Sequence, residues 1–180
     1  MKWRLFALVP VCLLLLGCGS DSDYNTRVAQ RDREVASLIR QGGTLIPPGV
    51  VEEHLVLAVR FSRYDMPRRR ERPVGVLMPD RWVQRIVFGA NSRHRISGMW
   101  RWHHPDIVVL SDGIARERVS DVLVHELIHY LQGRSGWGKS VNCYEYEAHE
   151  VEAHAGQHLY RLLVLREERR FQLPRMLCDS

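Results

Sequence analysis

Three residues in the stretch DVLVHELIHYLQ (Asp121 to Gln132) have the types and spacing for metal-assisted chemistry: His125, Glu126 and His129. On a helix, positions four apart lie one turn apart on one face, so both imidazoles can reach one ion. Glu126 is turned by about 100° from His125. That is too far round to ligate beside them, yet close enough to take a proton from a water on the ion. Zn2+ acidifies such a water and polarises a carbonyl, which is what amide hydrolysis near neutral pH requires. The neighbouring residues support the helix. Val122, Leu127, Ile128 and Leu131 supply apolar packing, and neither Pro nor Gly interrupts the chain between Val119 and Gln132.

A third protein ligand has to come from elsewhere, and the segment after Tyr144 is rich in candidates: Glu145, Glu147, His149, Glu150, Glu152, His154 and His158. It holds two consecutive copies of E-x-E-A-H, Glu145–His149 and Glu150–His154. Helical spacing places Ala148, Val151, Ala155, Leu159 and Leu162 in one apolar stripe. Glu145 and Glu152 flank it on one side and Glu147 and His154 on the other, with Glu150 further round. Burial on two sides would suit Glu150, whereas packing through the stripe alone would favour Glu152 or Glu147. Helical geometry leaves the choice open.

The run DIVVLSDG…VLVHELIHYLQ…YEYEAHEVEAHAGQHLY, about a third of the chain from Asp106 to Tyr160, resembles the zincin metallopeptidases. The metzincin variant is excluded, because Gln132 and Ser135 stand where its Gly and third His belong. A gluzincin-like pattern with a glutamate ligand fits better. The resemblance implies a sheet-edge strand along a substrate cleft, the HExxH helix beneath it, and a third ligand on the following helix. Carried over, it implies Glu150 as that ligand, 21 residues after His129, with His154 hydrogen-bonding a ligand; the other register gives Glu145 with His149. His154 stands where the family often has Asp or Tyr, a departure at that position. Tyr130, Tyr144, Tyr146 and His154 are candidates for stabilising an oxyanion.

The elements that must position these groups are read as follows. A helix runs from Thr26 to about Gln41, ended by Gly42-Gly43, and Pro47-Pro48-Gly49 forms a turn. Strands are predicted at His54–Phe61, Val74–Met78, Arg81–Phe88, Arg95–Trp102 and Asp106–Leu110, all β-branched or aromatic and punctuated by turn residues. Helices follow at about Arg118–Gln132 and Tyr144–Arg170. The order predicts an α+β fold, a mixed or mostly antiparallel sheet packed on helices. At 180 residues the chain holds one domain, and 45% hydrophobic residues suffice for a core.

The N-terminus is of another kind. Lys2 and Arg4 precede an apolar run from Leu5 to Leu16, a signal-peptide pattern too short to span a bilayer. Leu15-Leu16-Gly17-Cys18 resembles the lipobox of bacterial lipoproteins, which implies cleavage after residue 17 and lipidation of Cys18. Residues 18–25 then read as the lipidated cysteine and a polar tether, and 26–180 as the zincin-like domain. Gly19 after the cysteine, by the same resemblance, favours the outer membrane, with the domain in the periplasm. Cleavage removes two of the 26 basic residues and none of the 21 acids, leaving a mildly basic chain. The run RRRER (Arg68–Arg72) lies between prolines and lacks aromatic interleaving, so no nucleic-acid partner is indicated. In an oxidising compartment Cys143 and Cys178 are a candidate disulfide. The expectation is a monomeric envelope lipoprotein acting on a protein or peptide substrate. Its rival is a lipoprotein that holds zinc without catalysis, or none at all, and works as an adaptor or inhibitor.

Overall fold

The computed structural model describes residues 19–88, 96–100, 104–136 and 141–164. Among them are five helices, α1 (Gly19–Arg40), α2 (Pro48–Arg60), α3 (Asp80–Phe88), α4 (Val119–Ser135) and α5 (Val141–Val164). Four strands, β1 (Thr44–Leu45), β2 (Val74–Met78), β3 (Gly98–Trp100) and β4 (Ile107–Ser111), form one sheet in the order β1-β2-β4-β3. The fold is α+β with a mixed sheet: β2 and β4 are parallel, while β1 and β3 run antiparallel to their neighbours.

Parallel strands need a crossover, and α3 lies on the path from β2 to β4. β4 is buried at all five positions, which explains its unbroken apolar run, IVVL. Its side chains alternate between two cores. Val108 and Leu110 pack with α2, α4 and α5, while Ile107 and Val109 join Val76, Met78, Val83 and Leu38 on the face covered by α1 and α3. The result is three layers, with α4 against the centre of the sheet.

Two expected strands are helices. In PGVVEEHLVLAVR the buried residues are Val51, Leu55 and Ala58, spaced four and three apart, and Pro48 occupies the first turn, where its missing N–H costs nothing. Reading from His54 misses Val51 and sees only Leu55 and Ala58 of that stripe, and the expected turn at Pro47-Pro48-Gly49 is the start of the helix. Arg81–Phe88 likewise belongs to α3, where Asp80 begins the first turn and Val83 is buried. The strand expected over Arg95–Trp102 shortens to Gly98–Trp100 within the described residues. α1 begins at Gly19, not Thr26, so the stretch read as a tether is helical through Asn25. The Tyr24 hydroxyl donates to the Arg70 carbonyl (2.7 Å), and Arg27 grips the buried Asp106 with two bonds of 2.8 and 2.9 Å. Residues 1–18, with Cys18 and the signal segment, and Cys178 lie outside the described residues; Cys143 is half-buried in the first turn of α5.

Candidate metal centre

α4 buries almost its whole circumference: Val122, Leu123, Val124, Leu127, Ile128, Tyr130 and Leu131 are all inaccessible. His125 and His129 occupy the remaining strip, facing a cleft of about 610 Å3 walled by β3 and by α5. Their rings meet edge to face, with 4.7 Å between centroids and only 3.1 Å between the two Nε2 atoms.

α5 packs on α4 through Tyr144, Ala148, Val151 and Ala155. This single-stripe packing decides which acids face the histidines. At about 100° per residue, Glu145, His149 and Glu152 share the strip beside the stripe, and Glu150 falls roughly 140° round from Glu145. Glu145, His149 and Glu152 line the cleft, whereas Glu150, expected as the ligand, is not among its lining residues. The structure brings Glu145, the alternative register, beside the two imidazoles and does not bring Glu150 there. One Glu145 oxygen lies 3.4 Å from His125 Nε2 and the other 3.3 Å from His129 Nε2. His154, expected to support a ligand, is on the far side of α5, exposed and stacked on Phe61 with centroids 6.4 Å apart.

Each imidazole is held from behind. His125 Nδ1 is 3.1 Å from Glu152 Oε2, an acceptor that it shares with His149 Nδ1 at 3.0 Å. His129 Nδ1 is 2.8 Å from Gln132 Oε1. The orientation of that amide follows from its other end. Nε2 of the fully buried Gln132 donates to the Tyr144 carbonyl (3.0 Å) and to Glu147 Oε2 (3.1 Å), two groups that only accept. Oε1 is thus the acceptor, and His129 carries its proton on Nδ1. Glu147 is fixed in turn by the Tyr64 hydroxyl (2.6 Å) and by Arg63 (3.2 Å). Sequence reasoning did not find Gln132; its position three residues after His129, on the same face of α4, was the available signal.

With Nδ1 of each ring committed as a donor, both Nε2 lone pairs point at each other and at a carboxylate. Three electron-rich groups converge, which is tolerable only with a cation among them. In the metal-free protein protons fill that role. Burial opposes charging of His125, but the hydrogen bonds to Glu145 and Glu152 win and push its pKa up to about 9; His129 moves upward through Glu145 in the same way. Glu145 is correspondingly held far below the usual carboxylate range by the two imidazoles. The residues fit a metal as well. The two Nε2 atoms are 3.1 Å apart and each faces a different Glu145 oxygen, at 3.4 and 3.3 Å, so one ion could be reached by both imidazoles and the carboxylate. His125, Glu145 and His149 also offer ligand atoms within 4.8 Å of one another, so His149 and His129 are both candidates to join His125 and Glu145.

Glu126 completes the cleft floor. It is buried, its pKa is pushed up to about 7 by desolvation, and its Oε2 has no hydrogen-bond partner in the protein. The edge strand β3 lies directly on it. A Cβ at Gly98 would stand 2.9 Å from Glu126 Cγ and 3.0 Å from its Oε1, so only glycine allows this approach. Gly133 on α4 likewise admits Trp100, whose ring would meet a Cβ there at 2.3 Å and whose Nε1 donates to the Pro105 carbonyl (2.8 Å). The expected edge strand beside the HExxH helix is thus present, held to α4 by two glycines. Among the tyrosines considered for an oxyanion, Tyr130 is committed elsewhere: its hydroxyl donates to the Glu71 carbonyl.

No protein-family model, no curated protein and no solved structure matches this chain.

Proposed function

We propose that this protein is a zinc-dependent hydrolase of peptide or related amide bonds, lipid-anchored in a bacterial envelope through Cys18. One observation carries the enzymatic reading: two half-buried imidazoles and a carboxylate converge beside a buried glutamate with an unpartnered oxygen, in a cleft walled by a sheet-edge strand. His125, His129 and Glu145 would hold the ion, with Glu152 and Gln132 fixing the two rings. When bound, Zn2+ would supply Lewis acidity toward water and the scissile carbonyl. Glu126 would act as general base, its raised pKa suiting it to take a proton from water near neutrality and return it to the leaving nitrogen. Gly98 on β3 lies directly against that carboxylate. The envelope assignment rests on the N-terminal signal pattern alone.

A second reading rests on His149. As a fourth protein ligand it would close the coordination sphere, and a closed sphere is structural, which makes the protein a zinc-holding adaptor or inhibitor. One experiment separates the two. The full chain is assayed for zinc content and for hydrolysis of a quenched fluorescent peptide library, beside Glu126→Gln and His149→Ala. The enzyme reading expects Glu126→Gln to keep zinc and lose at least a hundredfold in rate. Zinc-loaded wild type without hydrolysis that depends on Glu126, with tenfold weaker zinc in His149→Ala, would establish the adaptor.

A further inference from the structure

Arg118 is the only lysine or arginine among the described residues that line the cleft. It stands at the N-terminal boundary of α4, where the helix has no side-chain cap and its positive dipole end adds to the cationic field. The Arg118 side chain is 60% exposed, and its ion pair to Glu152 Oε1 is long at 3.7 Å. Glu152 spends its other oxygen on the Nδ1 atoms of His125 and His149. A pair so long, with its guanidinium mostly in solvent, holds weakly, so it yields readily to a better acceptor. A guanidinium carries five N–H donors in a planar fork shaped for a carboxylate.

The position of that fork relative to the reacting centre sets what it can hold. Through Glu152, the guanidinium and His125 Nε2 are joined by a path of no more than about 11 Å, the span of roughly three extended residues. Val122 on α4 also lines this cleft, while the side chains of Ile96 and Met99 pack against the core on the other face of the sheet. The cleft therefore carries a cation within reach of the candidate metal ligands, joined to them through Glu152.

We infer that Arg118 is a specificity-determining residue that receives a substrate carboxylate one to three residues from the scissile bond, so that the cleft selects peptides carrying an anion there. The carboxylate is either the chain terminus, which would make the enzyme a trimmer of peptide C-termini, or an acidic side chain. This inference rests on the metallohydrolase reading above.

The test uses binding, so it does not need the natural substrate. Three hydroxamate-capped tripeptides are titrated calorimetrically into the zinc-loaded full chain: Leu-Ala-Ala as the free acid, the same as its C-terminal amide, and Leu-Asp-Ala as the amide. Wild type is expected to bind the free acid or the Asp peptide at least tenfold more tightly than the plain amide. Arg118→Ala should abolish that preference while leaving the plain amide within twofold, which also reports an intact cleft; Arg118→Lys should keep part of it. Preference for the free acid identifies a C-terminal trimmer, and preference for the Asp peptide an acidic side-chain subsite. Equal binding of all three by wild type, or an equal loss for all three in Arg118→Ala, overturns the inference and leaves the metal centre standing. If no hydroxamate binds zinc-loaded wild type, the metallohydrolase reading fails, and the inference with it.

Discussion

Gln132→Leu is a sharp probe of the scaffold behind the candidate metal centre. The side chain is fully buried and of similar volume to leucine, so packing is nearly preserved while three hydrogen bonds disappear. His129 loses the acceptor that fixes its Nδ1 proton and its ring plane. Loss of such a partner costs about 10–100-fold in metal affinity, or roughly 1.4–2.8 kcal/mol at 1.36 kcal/mol per tenfold. The Tyr144 carbonyl and Glu147 also lose a donor, at about 1–3 kcal/mol of folding stability for a buried group. Glu147 keeps Tyr64 and Arg63, which places its share at the low end. The assay is zinc competition against a chromophoric chelator on the full chain, beside thermal unfolding of the metal-free protein. Tyr64→Phe is the control, since it removes the 2.6 Å bond to Glu147 but leaves the amide on His129; its zinc affinity should change by less than about threefold. A Gln132→Leu variant that melts earlier yet holds zinc like wild type would reduce the amide to a packing element and refute the reasoning.

The other predictions concern the cleft itself. Glu145→Gln should weaken zinc at least a hundredfold, while Glu150→Gln stays within threefold, measured by the same competition; the reverse pattern would restore the original ligand. Gly98→Ala should leave zinc in place but cut hydrolysis by at least tenfold, because the added methyl group meets Glu126 at 2.9 Å, and retained turnover would show that the edge strand simply shifts away. Zinc affinity should rise about tenfold per pH unit between pH 6 and 8 with net release of about one proton. The reason is that His125, with its pKa raised to about 9, must lose a proton before it ligates. Calorimetry in buffers of different ionisation enthalpy would read the proton release, and a flat profile would contradict the close contact of His125 with Glu145 and Glu152.

The sequence made some of this legible and hid the rest for physical reasons. HELIH is a local pattern: helix geometry alone fixes how His125, Glu126 and His129 stand relative to one another, so reading them needs no tertiary information. β4 was equally plain, since burial on both faces writes an unbroken apolar run. α2 was lost because its buried residues, Val51, Leu55 and Ala58, include only two within the window read as a strand. There Leu55, Leu57 and Val59 imitate the alternation of a half-exposed sheet, and the stripe shows only when the helix is read from Pro48.

The third ligand was a different kind of problem. Both copies of E-x-E-A-H satisfy the local pattern, and what separates them is the width of the face that α5 buries, which belongs to α4 as much as to α5. Once Tyr144, Ala148, Val151 and Ala155 are seen to be the contact, the neighbouring strip of Glu145, His149 and Glu152 must face the cleft, and Glu150 cannot. Glu152 then takes the supporting position, seven residues after Glu145 and thus two turns along the same strip. The family pattern seeks that partner four residues on, where this chain has His149, itself hydrogen-bonded to Glu152. A single carboxylate therefore orients one candidate ligand, His125, and one exposed imidazole at the cleft rim. This shared acceptor is why His149→Ala has to be judged by zinc affinity as well as by turnover: a loss in turnover alone would place His149 against the substrate, and a loss in both would place it on the metal or on the carboxylate behind it.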